Sequence, residues 1–330
     1  MTQTRKELLL AAFDNKPVDR IPSGFWFHFL PLDVVHSTDA FYNPEDPAKV
    51  LAGEDQYISS AQPDYVKIMT DGFFIYQREK LGNIQHAADL KGLQPLADND
   101  IWFKAQINYA KALNQQFGKD TLLFYNVFVA ATTLKFMLPD GDNSLAALIK
   151  EDAAAVKTAL DVISGDLAKL SRRLITEGGV TGIYLSLQNV LGISRTVYDQ
   201  VVAPGEKAIL ASANGVSDYN ILHICGYHGH HNDLTWYAGY DVKAINWAVK
   251  VEGIPLQQGK AIFGGRAVIG GFGNTDQDVL YKGTKEEIQA ETKKIIAAAG
   301  TTGVILGADC TVPPDIDRQR FEWVREAAQL

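Results

Sequence analysis

Residues 284–309 read TKEEIQAETKKIIAAAGTTGVILGAD, a helical stretch that leads directly into a short apolar one. Thr284 and Glu287 have the spacing of a capping box, a reciprocal pair of side-chain hydrogen bonds at a helix start. Gly300 ends the helical pattern, and the run 303–309 has the length and composition of a buried strand. The stretch therefore predicts a helix over 284–299 that is followed by a strand.

The same alternation of apolar runs and helical stretches extends along the whole chain. In 152–176, apolar side chains recur every three or four residues and form one helical face. Strands separated by helices indicate βαβ units and a parallel sheet. Eight such strands in 330 residues predict a single domain, 1–330, folded as an α/β (β/α)8 TIM barrel with extra N-terminal helices. A doubly wound open sheet is the alternative. The predicted strands are 21–29, 64–71, 121–130, 180–188, 219–225, 241–247, 267–273 and 303–309.

Composition and charge exclude several classes of protein. Apolar residues make up 46% of the chain and charged residues 21%, as in an ordinary globular protein. The net charge of −8 argues against nucleic acid or an anionic membrane as partner. No apolar run approaches the roughly 18 residues of a membrane helix, and we interpret 1–20 as an amphipathic helix rather than a signal peptide. We therefore expect a cytoplasmic protein whose two cysteines are thiols.

Three side chains with metal-ligand chemistry lie at predicted strand ends, where barrel enzymes place their active sites. His223 and Cys225 end the fifth strand, and Cys310 ends the eighth. Residues i and i+2 of a strand point to the same side, so the imidazole and the first thiol face the barrel mouth together. One nitrogen and two sulfurs leave a tetrahedral position open, as in a catalytic Zn²⁺ site. Buried core roles for these residues are the alternative.

Other polar and aromatic side chains at strand ends are candidates for catalysis or binding. Asp71, at the end of the second strand, is the candidate catalytic residue, and a turn or capping role is its alternative. The segment with His228, His230 and His231 is interpreted as a solvated loop, with acceptor or second-metal binding as the alternative. The candidates for substrate binding are Gln188, Asn246, Trp247 and Asn274.

Along most of its length the chain resembles the uroporphyrinogen decarboxylase superfamily. The N-terminal stretch TRKELLLAAFDNKPVDRIP is similar to the first helix of that family and to its entry into strand one. Three later stretches are similar to the helix after strand four, the strand-seven segment and the strand-eight loop. They are YDQVVAPGEKAILASA, GGFGNTDQDVLYKGTKEEIQAETKKII and ILGADCTVPPDI. The resemblance implies a (β/α)8 barrel.

Within the superfamily, the metal-type residues resemble those of the cobalamin-linked methyltransferases. Their zinc signature, H-x-C and a distant cysteine, matches His223, Cys225 and Cys310. This resemblance implies methyl transfer from methylcobalamin or another corrinoid, held on a separate corrinoid protein, to a small-molecule thiol bound to zinc. The methyltransferase glutamate near strand six has no counterpart before Glu252, which leaves Asp309 or water as candidates for the fourth zinc position.

The decarboxylase branch is the alternative within the same superfamily. Its arginine-rich loop after strand one corresponds here to 25–31, FWFHFLP, which contains no arginine for binding substrate carboxylates. Asp71 matches the aspartate that decarboxylases place at the pyrrole nitrogens, and Asn246-Trp247 resembles their Asp-Trp. We expect a zinc-dependent methyltransferase. A uroporphyrinogen decarboxylase or a non-catalytic barrel that binds a corrinoid or tetrapyrrole remains the alternative, and a homodimer is left open.

Overall fold

Seven parallel strands, paired in chain order, form the sheet on which the described part of the molecule is built. The computed structural model describes residues 3–35, 38–189 and 192–330. Nearly every strand residue is buried, as expected for parallel strands that helices cover on the outside. Seven of the eight predicted strands are therefore confirmed. The strands are β1 (Tyr65–Ile68), β2 (Leu122–Phe128), β3 (Gly182–Leu187), β4 (Ile221–Ile224), β5 (Ala244–Trp247), β6 (Ala267–Phe272) and β7 (Val304–Ala308).

The prediction of a strand over 21–29 is wrong, because that segment forms only an isolated parallel bridge between Ser23 and Leu306. Leu306 donates to the Pro22 carbonyl at 2.8 Å, and Asp64, just before β1, donates its N–H to the Ser23 carbonyl at 3.0 Å. The segment thus lies between β7 and β1 and bonds to both. Pro22 has no N–H for a ladder, and the Ser23 N–H donates to the Asp64 carboxylate instead of a carbonyl. The pairing is therefore too short to form a strand.

Helices connect the strands, and two of them precede β1. The α-helices are α1 (Arg5–Phe13), α2 (Glu45–Ala61), α3 (Arg78–Leu81), α4 (Ile101–Phe117), α5 (Ala130–Lys135), α6 (Gly141–Thr176), α7 (Arg195–Val197), α8 (Ala203–Asn214), α9 (Val249–Glu252), α10 (Leu256–Ile262), α11 (Val279–Lys282), α12 (Lys285–Ala299) and α13 (Gln319–Ala327). A π-helical turn spans Tyr198–Val202, and 3-10 turns span Ala87–Leu90, Tyr227–Gly229 and Leu234–Tyr237. None of the helices in the described ranges combines the length and apolar character needed to cross a membrane.

The two helices predicted from periodicity are present. In α12, the Thr284 and Glu287 side chains form the expected capping box, and Gly300 ends the helix with a φ of +84°. The other lies within α6, which is longer than predicted because it begins at Gly141 and passes through a non-helical residue at Asp152. The Asp152 carboxylate accepts the N–H groups of residues 154 and 155, so it caps the segment that the periodicity identified.

The interior of the curved sheet changes from apolar to polar along the strands. Residues near the strand starts, such as Leu122, Ile221 and Ala267, belong to one buried apolar cluster. Further along, Ser186 of β3, His223 of β4 and Asn246 of β5 are register neighbours in adjacent strands. Because alternate residues of a strand face the same side, this polar row lies inside the sheet at its carboxyl end. The sheet therefore positions its chemically reactive side chains at that end.

Candidate metal centre

The three predicted metal ligands meet at the carboxyl end of the sheet. The Cys310 sulfur lies 3.7 Å from the Cys225 sulfur and 3.5 Å from Nε2 of His223. Tetrahedral ligands at zinc bond lengths lie about 3.3–3.8 Å from one another, so these separations already suit one bound ion. In the described part of the chain, no other group of three or more His, Cys, Asp or Glu side chains has such close ligand atoms. The cluster could therefore hold a metal ion.

Strand geometry explains how residues 85 positions apart in sequence come together. His223 is the third residue of β4, and Cys225 follows that strand directly, so both side chains face the sheet interior. The Cys225 N–H donates to the Leu187 carbonyl at the end of β3, which continues the ladder by one residue. Cys310 follows β7 and is partly exposed, whereas the other two ligands are buried. The cluster is thus open to solvent on the Cys310 side.

Asn246 determines which nitrogen of His223 is available as a ligand. The Asn246 amide nitrogen donates to the carbonyls of Ile269 and Ala308, at 3.0 and 3.2 Å. Its oxygen must then face Nδ1 of His223, 2.5 Å away, and accept a hydrogen bond from it. With the proton held on Nδ1, Nε2 has a free lone pair directed at the cysteine side of the cluster. The sequence predicted Asn246 as a substrate-binding residue, and the structure places it behind the histidine.

A partly buried hydrogen-bond chain supports Cys225 from outside the cluster. The Asn232 amide donates to the Cys225 carbonyl at 3.1 Å and to the Glu252 carboxylate at 2.8 Å. The Asn232 backbone N–H also donates to Glu252, at 2.8 Å. Glu252 is thereby engaged by Asn232 and does not belong to the ligand cluster. Burial raises the pKa of its carboxyl group.

Two polar side chains fix the loop that carries Cys310. The Asn274 amide donates to the Thr311 carbonyl at 3.1 Å, so this predicted binding residue lies against the Cys310 loop. Asp309 accepts the first two N–H groups of α9, at 2.9 and 2.7 Å, with one carboxylate oxygen each. Burial raises the Asp309 pKa to about 7. Both carboxylate oxygens are directed at α9, so Asp309 is a support for the loop and not part of the ligand cluster.

The two cysteine thiols differ in their electrostatic environment. The hydrogen bond from Cys225, together with the nearby Lys67 ammonium group, lowers the pKa of Cys310 well below its ordinary value. The same hydrogen bond and complete burial raise the pKa of Cys225. The surroundings therefore favour the thiolate form at Cys310 and the neutral thiol at Cys225.

Lys67 is a functional candidate that the sequence analysis missed. It is buried on β1, and its ammonium group lies over the rings of Trp26 and Tyr184, 5.0 and 4.7 Å from their centres. Burial lowers the Lys67 pKa to about 8. A lysine in the middle of the apolar run 64–71 was the sequence signal that could have identified it.

Asp71 lies at the same end of the sheet, but its carboxylate contacts residues 28–30. One carboxylate oxygen lies 2.7 Å from Nδ1 of His28. The other accepts the backbone N–H groups of Phe29 and Leu30, at 2.7 and 3.2 Å. The carboxyl group is fully buried. Asp71 therefore holds this segment in place, and its side chain is not part of the metal-type cluster.

Trp247 lies away from the cluster, whereas Gln188 follows β3 beside Cys225, because Leu187 pairs with Ile224. The Gln188 carbonyl accepts a hydrogen bond from the Lys135 ammonium group at 3.3 Å, and the residue lines a small cavity beside α5. Trp247 points to the helical side of the sheet, because its neighbour Asn246 points inward. Its indole N–H donates to the Ile254 carbonyl at 2.9 Å, and its ring packs on Phe263.

The histidine-rich segment follows Cys225 in a surface loop. His228 and His231 are exposed, and His230 is half-buried. The His228 ring contacts that of Tyr227 at a tilt of 49°, with ring centres 3.9 Å apart, and His231 lies 3.8 Å from Glu252. These three histidines do not form a second cluster of metal-type ligands among the described residues.

The sequence of this chain matches that of a known protein family. The sequence model of the uroporphyrinogen decarboxylase (URO-D) family matches residues 80–329, more than half of the chain. No curated protein matches the chain.

Two solved structures share the fold over almost the whole chain. A methyltransferase from Methanosarcina mazei is 17% identical, with a TM-score of 0.75 over 98% of both chains. A B12-independent methionine synthase from Shewanella sp. W3-18-1, in complex with selenomethionine, is 11% identical. Its TM-score is 0.56, over 94% of this chain and 97% of that one. The TM-scores show a common fold, and at identities this low they show the fold alone.

Proposed function

The chain belongs to the uroporphyrinogen decarboxylase family, and we propose that it is a zinc-dependent methyltransferase that methylates a small thiol from a methylated corrinoid. The observation that carries this proposal is the cluster of one imidazole nitrogen and two sulfurs at tetrahedral spacing. Soft sulfur with imidazole favours zinc over magnesium or calcium. The names of the two structural neighbours, a methyltransferase and a methionine synthase, agree with methyl transfer.

The roles of the residues follow from their positions. His223, Cys225 and Cys310 would hold the ion and leave one tetrahedral position for the acceptor sulfur. Zinc bound there would lower the pKa of the acceptor thiol and so supply a nucleophilic thiolate at neutral pH. Asn246 keeps the His223 proton on Nδ1. The solvent-open side next to Cys310 is where the methyl donor would approach.

The complete barrel and the donor protein are further parts of this proposal. The segment around Ser23 bonds to both β7 and the start of β1, and we propose that it takes the place of the eighth strand of a (β/α)8 barrel. Active sites of such barrels open at the carboxyl ends of the strands. We propose that a separate corrinoid protein presents the methyl group at this end.

Decarboxylation of a tetrapyrrole is the second function to consider, because it gives the family its name. A substrate with many carboxylates needs arginine side chains, and the segment 25–31 has none. Asp71, the residue that would contact the pyrroles, has both oxygens engaged by 28–30. The cysteine pair has no use in that reaction. These observations favour methyl transfer.

Metal content measured on the untagged protein by elemental mass spectrometry tests the proposal. We expect one zinc per chain in the wild type, and loss of that zinc in Cys310→Ala. Ser212→Ala is the control, because this serine bonds the Ala168 carbonyl between two outer helices. Turnover of methylcobalamin with a panel of free thiols should follow the zinc content. A wild type without zinc after reduction and zinc addition, or a zinc-free variant with full activity, would contradict the proposal.

A further inference from the structure

The two cysteines of this chain face each other at the carboxyl end of the sheet. They are the only cysteines in the sequence, and their sulfur atoms lie 3.7 Å apart. A disulfide bond has an S–S length of about 2.0 Å, so the two sulfurs need to approach each other by roughly 1.7 Å. Because the sequence has no third cysteine, each can form an intramolecular disulfide only with the other. The structure therefore places Cys225 and Cys310 as a pair of neighbouring thiols.

Hydrogen bonds hold the backbone on both sides of this pair. The Asn232 amide donates to the Cys225 carbonyl at 3.1 Å. The Asn274 amide donates to the carbonyl of Thr311, the residue after Cys310, also at 3.1 Å. Neither contact involves a sulfur atom, so the fold itself keeps the two thiols as neighbours, and rotation of the side chains is the movement that joins them. A reaction between groups held in this way is favoured over one between separate molecules.

The two thiols differ in their access to solvent. Cys225 is buried, with 4% of its surface exposed, whereas Cys310 is partly exposed. A dissolved oxidant therefore reaches the Cys310 sulfur first. The Cys225 sulfur lies beside it and is positioned to react with the oxidised form. Redox-active cysteines commonly have this arrangement, in which an accessible thiol lies next to a second thiol that resolves it.

We propose that Cys310 and Cys225 are a redox site that forms a reversible disulfide, with hydrogen peroxide as the oxidant. The Cys310 sulfur attacks one peroxide oxygen, the O–O bond breaks, and Cys310 becomes a sulfenic acid as one water leaves. The Cys225 sulfur then attacks the Cys310 sulfur, an S–S bond forms, and the sulfenic hydroxyl leaves with the Cys225 proton as a second water. Two electrons pass in this way from the thiols to the peroxide. A small dithiol reverses the reaction by thiol–disulfide exchange.

This oxidation also controls metal binding. A cysteine binds a metal ion as its thiolate, and neither sulfur of a disulfide carries that charge. Of the three candidate ligands, the disulfide form therefore retains only His223. The effect on zinc rests on the proposed function, whereas the disulfide itself does not.

Thiol counting on the metal-free protein tests the redox site. The untagged chain is treated with hydrogen peroxide and unfolded without reductant, and its free thiols are counted with a chromogenic thiol reagent. We expect the count to fall from two to zero and to return to two after dithiothreitol. Mass spectrometry of the digested chain should find the peptides of Cys225 and Cys310 joined by a reducible bond. Thiols that stay free, that join two separate chains or that end as sulfinic or sulfonic acids would overturn the proposal.

Single-cysteine variants establish the order of the two steps. In Cys225→Ser, Cys310 has no resolving partner, so its sulfenic acid should accumulate and react with dimedone. In Cys310→Ser, the buried Cys225 thiol should be oxidised more slowly than the Cys310 thiol is in Cys225→Ser. Ser212→Ala, on an outer helix, keeps both cysteines and should form the disulfide as the wild type does. Faster oxidation of Cys225 than of Cys310 would contradict Cys310 as the attacking sulfur. If circular dichroism shows that a variant does not fold, the thiol count of the wild type carries the test.

Zinc uptake is measured separately on the reduced and the oxidised wild type, by elemental mass spectrometry. We expect uptake by the reduced protein and its loss in the disulfide form. A reversible disulfide in a chain that takes up no zinc in either form would support the redox site and remove the methyltransferase. Zinc uptake by the reduced protein, without a disulfide after oxidation, would have the opposite meaning. Equal zinc uptake by both forms would contradict the control of metal binding.

Discussion

Nδ1 of His223 and Oδ1 of Asn246 are 2.5 Å apart, and this contact orients the imidazole toward the two cysteines. The amide cannot turn round, because its nitrogen is already bonded to two backbone carbonyls on β6 and β7. Histidine ligands generally depend on such a partner for tautomer and ring orientation. Asn246 therefore belongs to the candidate metal centre, although it is not one of the three candidate ligands.

Asn246→Ala should weaken zinc binding by about 10- to 100-fold, because His223 loses the acceptor that fixes its tautomer. The affinity is measured by competition with a chromophoric zinc chelator at pH 7. Asn143→Ala, an asparagine that bonds Asp140 at the start of α6, is the control and should keep wild-type affinity. Equal zinc affinity in Asn246→Ala and the wild type would show that the contact has no role in metal binding.

The ligand cluster could be predicted from the sequence because each of its residues lies at a recognisable strand end. His223 and Cys225 share a strand face through their spacing, and Cys310 follows the last strand. Glu252 and Asp309 could not be assigned in this way. Their roles depend on which way a carboxylate turns, toward Asn232 or toward α9, and sequence spacing does not contain that information.

The misjudged positions have physical reasons as well. The run 21–29 is apolar enough for a strand, but Pro22 and the Asp64 carboxylate remove the donors that a ladder needs. Trp247 follows a polar inward residue and so faces the helices, which the alternation rule could have indicated. Lys67 could not be assigned a role, because the apolar run 64–71 predicts a strand but does not show what surrounds a charged residue within it.

Trp247→Phe should destabilise the fold by about 1–3 kcal/mol, since it removes the hydrogen bond to the Ile254 carbonyl and leaves a cavity. The indole fills the space above Gly259, where even a methyl group would lie 2.2 Å from the ring. Zinc content should stay at the wild-type level, because the ring lies on the helical side of the sheet. Denaturant unfolding and elemental analysis measure the two effects.

Trp323→Phe is the control for that substitution. Trp323 is partly buried on α13, where Arg320 lies over its ring. We expect a smaller loss of stability there than at position 247. If Trp247→Phe removed zinc at unchanged stability, the assignment of Trp247 to the core would be wrong.

Glu252→Gln should leave the metal coordination unchanged, because Glu252 is bonded to Asn232 and is not a ligand. X-ray absorption on the zinc-loaded protein should give two sulfurs and one protein nitrogen in both wild type and variant. A modest loss of affinity is expected, since Asn232 also holds the Cys225 carbonyl. Loss of one light-atom ligand from the spectrum of the variant would identify Glu252 as the fourth ligand instead.

Glu54→Gln should change how stability depends on pH. Glu54 is fully buried on α2 and accepts the Met69 N–H at 2.7 Å, and burial raises its pKa from the ordinary value of 4.5 to about 8. A raised folded-state pKa means that the protonated form stabilises the fold. This contribution is fully present below pH 4.5 and is lost as pH rises through about 8. In that window the wild type should lose up to about 1.4 kcal/mol per pH unit relative to Glu54→Gln. Denaturant unfolding at several pH values measures this slope. Glu45→Gln, at an exposed position on the same helix, is the control. Parallel curves of stability against pH for the wild type and Glu54→Gln would mean that Glu54 is ionised in the folded protein.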